Sequence, residues 1–160
     1  MNNTSILIVC TANICRSPIA QGLLRHMFDV HDLGNRFQVE SAGTYVGRGG
    51  DSPDPRACQV ALGGGFDISD IRSRPVKAND FATFDYILAV DRDNQQRLLE
   101  MCPDEYAHKL KLIAQFAPEL GIDEVPDPYY GNMSGFERVF NMLECAARGL
   151  LEHFQHERLV

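Results

Sequence analysis

The apolar run Ile6-Leu-Ile-Val-Cys10 stops at Thr11-Ala-Asn-Ile-Cys15 and gives way directly to Arg16-Ser-Pro18 and a helical pattern. A continuous apolar run of this length suits a strand buried on both faces of a parallel sheet. Ser17 is a favoured N-cap residue, and Pro18 suits the first helical position, where a missing N–H is no loss. Arg16 fits this scheme badly, because a cation opposes the positive end of the helix dipole. The conflict disappears if an anion sits in the loop, held by backbone N–H groups and the guanidinium fork. Six amides, from 11 to 16, could curl around a tetrahedral oxyanion only in a loop this short. Electropositive surroundings favour a thiolate, so Cys10 at the floor of such a cradle is a candidate nucleophile.

Further along the chain, Ile19, Ala20, Leu23, Leu24, Met27 and Phe28 recur at a helical period, with Gly34 as a plausible stop. Phe37–Ser41 reads as a second strand, and Pro53-Asp-Pro-Arg56 opens a helix that runs to about Leu62 and the glycines after it. Residues 66–80 read as a turn with one helical turn at most. Tyr86–Val90 is the third strand. Asp91 caps the next helix, with Leu98, Leu99 and Met101 near one face. Lys109–Ile113 is the fourth strand, followed by a proline-rich loop that carries Asp127-Pro-Tyr-Tyr130. Phe136, Phe140, Leu143, Ala147, Leu150 and Phe154 draw one apolar stripe on a final helix. Alternating strands and helices imply a parallel sheet with helices on both faces. Right-handed crossovers then bring Cys10, Ser41, Asp91 and the Asp127 loop to one rim, outside the carboxyl ends of the strands.

The chain has 160 residues, fitting one domain over 1–160, and its 44% hydrophobic and 23% charged content is ordinary for a globular protein. A formal charge of −7 argues against binding to nucleic acid or to an anionic membrane, while a local cradle can still take an anionic substrate. The five scattered cysteines fit a reducing compartment better than a disulfide scaffold, and neither a membrane span nor a leader pattern is visible. A cytoplasmic location is therefore expected. No Cys/His set has zinc spacing, and no metal or other cofactor is expected. The nucleotide-binding G-x-x-x-x-G-K-[ST] pattern is missing.

Val9-Cys-Thr-Ala-Asn-Ile-Cys-Arg-Ser-Pro18 resembles the signature of the low-molecular-weight protein-tyrosine phosphatases. Ser41-Ala-Gly-Thr44, Pro53-Asp-Pro-Arg56 and Asp127-Pro-Tyr-Tyr130 look like that family's later motifs, in order and at the right spacings. The resemblance implies an α/β three-layer sandwich with a four-stranded parallel sheet in the order 2-1-3-4. It implies that Cys10 attacks phosphorus to form a phosphocysteine, that Arg16 binds phosphoryl oxygens, and that Asp127 protonates the leaving phenolic oxygen. Thr11, Ala12, Asn13, Ile14 and Cys15 would line the phosphate site, with Tyr129 and Tyr130 walling the aryl group. Asn13, Ser17 and Ser41 would support the loop, and Asn13 could equally be an ordinary left-handed residue. Ile14 favours phosphotyrosine, because threonine there resembles an arginine-phosphatase branch. Asp91 is expected only to cap its helix. Cys15 is a candidate redox partner of Cys10, with a simple buried thiol as the alternative. The implied partners are phosphotyrosine proteins, a tyrosine kinase among the candidates, for a chain acting as a monomer or weak dimer.

The chain departs from the family pattern at three positions. Ala12 replaces a glycine, so the loop there must avoid positive φ or carry strain. Ile71 replaces a histidine of the loop-support network, leaving that network one partner short. Gly47 replaces a wall aromatic, a place Tyr45 could fill. Two rivals share part of the pattern. An arsenate reductase would need relay cysteines after strand three, and residues 80–92 have none. A phosphotyrosine-binding pseudoenzyme would have little use for Cys10, Arg16 and Asp127 together.

Overall fold

The computed structural model describes residues 3–157. Four strands, β1 (Thr4–Cys10), β2 (Phe37–Gly43), β3 (Tyr86–Ala89) and β4 (Leu110–Leu112), form one parallel sheet in the order β2-β1-β3-β4. The expected strand order and direction are found. The helices are α1 (Arg16–Val30), α2 (Pro55–Gly63), α3 (Asp80–Thr83), α4 (Arg92–Met101) and α5 (Met133–His156).

Side-chain alternation along β1 sorts the layers. Ile6, Ile8 and Cys10 join a core with α1, α2 and α5, built around Leu24, Phe28, Phe136 and Phe154. Leu7 and Val9 face the other way, into a smaller core with Phe81, Phe84 and Leu98 from α3 to α4. On α5, Phe136, Leu143, Ala147, Leu150 and Phe154 are buried, as their spacing requires, and Phe140 is partly covered. Each such large side chain contributes about 1.5–3 kcal/mol when withdrawn from water.

Several local expectations change. Ser17 does not cap α1: the helix starts at Arg16, Cys15 occupies the cap, and no side chain closes it. The Ser17 hydroxyl is occupied elsewhere, as described below. α1 ends ahead of Gly34, the turn being made by Asp32 at φ 58. β2 runs past Ser41 to Gly43 because the 73–76 segment supplies it with a further partner: Gly43 N–H donates to Arg74 O, and Val76 N–H to Gly43 O. On α4 only Leu98 of the three apolar residues is buried, while Leu99 and Met101 face solvent. β3 and β4 are shorter than expected, the latter passing at Ile113 into a 3₁₀ turn. No helix among the described residues is long and apolar enough to cross a membrane.

Candidate active site

A cleft of about 270 Å³ opens at the carboxyl rim of the sheet, lined by Cys10, Thr11, Ala12, Ile14, Cys15, Arg16, Asp127, Tyr129 and Tyr130. Its floor is the turn between β1 and α1. The uncapped start of α1 leaves its first N–H groups for an anion in this turn.

Behind the turn, the Asn13 amide Nδ2 donates to Ser17 Oγ (2.7 Å) and Ser41 Oγ (2.9 Å), and its Oδ1 accepts from Arg74 N–H (3.0 Å). Ser17 Oγ lies 2.9 Å from Cys10 Sγ. Asn13 itself takes φ 59, so it serves both as the left-handed residue of the turn and as its brace. Its side chain points behind the loop and leaves the cleft to its neighbours. Ala12 is exposed and is not among the residues of positive φ, so the missing glycine brings no strain there. Close approach is secured from β2 instead. A Cβ on Gly43 would stand 2.5 Å from Thr11 O and would push the turn away.

The place of the missing histidine is also taken over. Ile71 packs against the larger core, while Arg74 N–H fills the Asn13 acceptor and Gln21 from α1 contacts Ser41 Oγ. Turned so that Nε2 faces Ser41, the Gln21 amide presents its oxygen to Arg25 Nη2 at 2.8 Å. The network is complete: Asn13, Ser17 and Ser41 stand where the resemblance put them, and only the histidine's part passes to Arg74 N–H and Gln21.

Arg16 is almost fully buried. Its Nη1 donates to Asp91 Oδ2 (2.7 Å) and Val125 O (2.9 Å), while Nη2, on the cleft side, lies 3.3 Å from Thr11 Oγ1 and 3.9 Å from Asp127 Oδ2. Asp91 is therefore more than a helix cap. One of its oxygens accepts from Asn94 N–H at 2.8 Å and the other aims the arginine. With its amide turned in the same way, buried Asn94 holds this carboxylate through its nitrogen (2.8 Å) and accepts from the hydroxyls of Thr11 (3.1 Å) and Thr44 (3.3 Å). Sequence reasoning missed the Asp91–Arg16 pair, although Asp91 stood visibly at the rim. Nothing in the sequence pointed to Asn94.

Asp127 stays about half exposed, and its Oδ1 accepts from Tyr129 N–H at 3.1 Å. Tyr129 and Tyr130 meet edge to face, 5.0 Å between centroids, with Tyr130 93% exposed at the mouth. Ile14 lines the cleft with them. Tyr45 does not replace the wall aromatic. Its ring lies outside the cleft, 5.2 Å from the Arg97 guanidinium, and exposed Gly47 adds no side chain. The buried Cys15 thiol is pushed up to about 12, first by desolvation and then by the charges of Asp54, Cys10 and Asp127. Cys58, Cys102 and Cys145 are free and lie outside the cleft lining.

The cleft thus brings together a buried thiol, a buried arginine, the uncapped start of a helix and a carboxylate. Comparisons with known proteins show the family. The family model described as low molecular weight phosphotyrosine protein phosphatase matches residues 5–159. A Synechocystis protein provisionally named a low molecular weight protein-tyrosine-phosphatase is 42% identical over 147 residues, covering 91% of this chain and 93% of its own. The human low molecular weight phosphotyrosine protein phosphatase is 34% identical over 154 residues, 92% of this chain and 94% of its own. A crystal structure of an Entamoeba histolytica protein tyrosine phosphatase superposes with a TM-score of 0.92 at 38% identity, covering 98% of this chain and 99% of that one. The chain belongs to the low molecular weight phosphotyrosine protein phosphatase family.

Proposed function

We propose that this chain, acting as one domain, is a cysteine-dependent protein-tyrosine phosphatase that hydrolyses aryl phosphate monoesters through a phosphocysteine. One observation carries the reading: Cys10, Arg16 and Asp127 line the same small cleft, with Tyr129 and Tyr130 at its mouth. The phosphoryl group enters the turn, where backbone N–H groups and Arg16 Nη2 receive its oxygens. The Cys10 thiolate attacks phosphorus, the P–O bond to the phenol breaks, and Asp127 delivers its proton to the departing oxygen. Charge spread over the phosphoryl oxygens is met by groups already in place, Arg16 being fixed by Asp91 and Val125. Asp127, now ionised, takes a proton from water as that water attacks the phosphocysteine. Phosphate leaves and the Cys10 thiolate is restored, with Ser17 Oγ stabilising it as the leaving group.

Ile14 and the tyrosine pair favour a flat aromatic ester, so phosphotyrosine proteins are the substrate class, with a tyrosine kinase among candidate partners. The family and the free thiols support a cytoplasmic enzyme working as a monomer or weak dimer. A peroxide would oxidise Cys10 to a sulfenic acid, releasing water. Cys15 could then displace a second water to form a disulfide that reduction reverses. Peroxide treatment followed by mass mapping should find that bond, and its absence would remove the redox role.

The activity is tested by hydrolysis of an aryl phosphate with wild type, Cys10→Ser and Asp127→Ala. Cys10→Ser should abolish turnover, and Asp127→Ala should cost on the order of 10²–10⁴ in rate, the usual worth of a general acid. Full activity in Cys10→Ser would overturn the assignment.

A further inference from the structure

Arg56 lies outside the cleft lining, yet it grips the loop that carries Asp127 at two points. Its Nη2 donates to Tyr129 O and its Nη1 to Gly131 O, both at 3.0 Å. The guanidinium carbon sits 4.4 Å from the centroid of the Phe136 ring on α5 and 5.7 Å from that of Tyr129, so the fork is also braced from the side. Two further donations, from Nε (3.0 Å) and Nη2 (2.9 Å), tie it to the Asp54 carboxylate. Asp54 caps α2 and donates its own N–H to Ile14 O, in the phosphate-binding turn, at 2.8 Å. The Arg56 guanidinium holds the Asp54 carboxyl below the usual carboxylate range, which keeps this link ionised.

These contacts form one chain from the nucleophile's turn to the acid's loop: Ile14 carbonyl, Asp54, Arg56, and the carbonyls of Tyr129 and Gly131. Asp127 has little else to fix it. Its carboxylate is half exposed, 3.9 Å from Arg16, and oriented through Tyr129 N–H. Among the described residues, the other hydrogen bonds within 127–131 stay inside the loop. The residue that orients Asp127 is thus the residue whose carbonyl Arg56 holds.

We propose that Asp54 and Arg56 are positioning residues for the general acid, setting the reach of Asp127 over the phosphate-binding turn. The proposal rests on the reading of Asp127 as the acid. A displacement of about 1 Å at a reacting group can cost on the order of 10²-fold, so loss of the link has a kinetic consequence beyond stability. That consequence depends on the leaving group. A poorly leaving phenol needs its proton, while a strongly acidic nitrophenol departs without one.

The test is kcat/KM for aryl phosphates ranging from dinitrophenyl phosphate to phenyl phosphate, in wild type, Asp127→Asn, Arg56→Ala, Arg56→Lys and the Arg56→Ala/Asp127→Asn double variant. Inhibition by inorganic phosphate serves as the check on the turn itself. Arg56→Ala should lose on the order of 10–10²-fold on phenyl phosphate and little on dinitrophenyl phosphate. Phosphate inhibition should be unchanged, and Arg56→Ala should add nothing once the acid has been removed by Asp127→Asn. Arg56→Lys keeps the charge but cannot hold two carbonyls and a carboxylate in one plane, so it should show a weaker version of the same pattern. It carries the test if the alanine variant does not fold. A uniform loss across the series, or losses that multiply in the double variant, would overturn the link while leaving Asp127 as the acid. An Asp127→Asn variant that ignores the leaving group would overturn the acid assignment, and this proposal with it.

Discussion

Two demands meet at Asn13, a backbone with φ 59 and an amide that makes three hydrogen bonds. They can be separated. Asn13→Gly keeps the left-handed backbone and loses the amide, whereas Asn13→Ala loses both. Alanine should therefore be the less stable of the two, by about 1–2 kcal/mol, the cost of a left-handed L-residue, with both variants below wild type in denaturant titrations. Asp91 divides in the same way. An asparagine in its place would cap α4 about as well but would give up the ion pair with Arg16. Asp91→Asn and Asp91→Ala should lose turnover alike on an aryl phosphate, with alanine less stable by a further ~1 kcal/mol for the lost cap. Equal activity in Asp91→Asn and wild type would show that Arg16 is aimed by Val125 and the turn alone.

Among the elements, α5 contributes the largest share of the larger core and also seats the loop that leads to the site. A Cβ on Gly149 would overlap the Phe116 carbonyl, so the 3₁₀ turn after β4 lies directly on this helix. Gly149→Ala should displace that turn and lower the melting temperature, despite alanine's better helix propensity. The elements also show how far the sequence could be read. The α5 stripe, the apolar β1 and the start of α2 at Pro55 follow from spacing within one element, and spacing is local information. The sequence is silent where a role depends on a partner distant in the chain. Asp91 reads as a cap because Arg16 lies 75 positions away, and Ser17 reads as a cap until Cys10 and Asn13 engage its hydroxyl. Residues 66–80 read only as a turn with one helical turn at most, and their partners lie beyond local pattern. They are shaped by the β2 edge and by Asn13, with only a short helix at the end.

At the scale of the whole molecule, burial of Cys15 couples stability to alkali. Its folded value, raised from 9.0 to about 12, exceeds that of the unfolded chain, so its contribution is complete below pH 9 and is lost as pH rises toward 12. Cys15→Ala should keep more of its stability than wild type across that window in urea titrations at stepped pH, with a flatter alkaline limb. Below pH 9 the two curves should run parallel. The support behind the turn behaves differently. From Cys10 it passes through Ser17, Asn13, Ser41 and Gln21 to Arg25: hydroxyls, amides and a guanidinium, with Ile71 where an imidazole was expected. The network from Ser17 through Asn13 and Ser41 to Gln21 thus carries no ionisable side chain. The ionisable parts of the frame lie elsewhere, in the carboxylates of Asp91 behind Arg16 and of Asp54 behind the Asp127 loop.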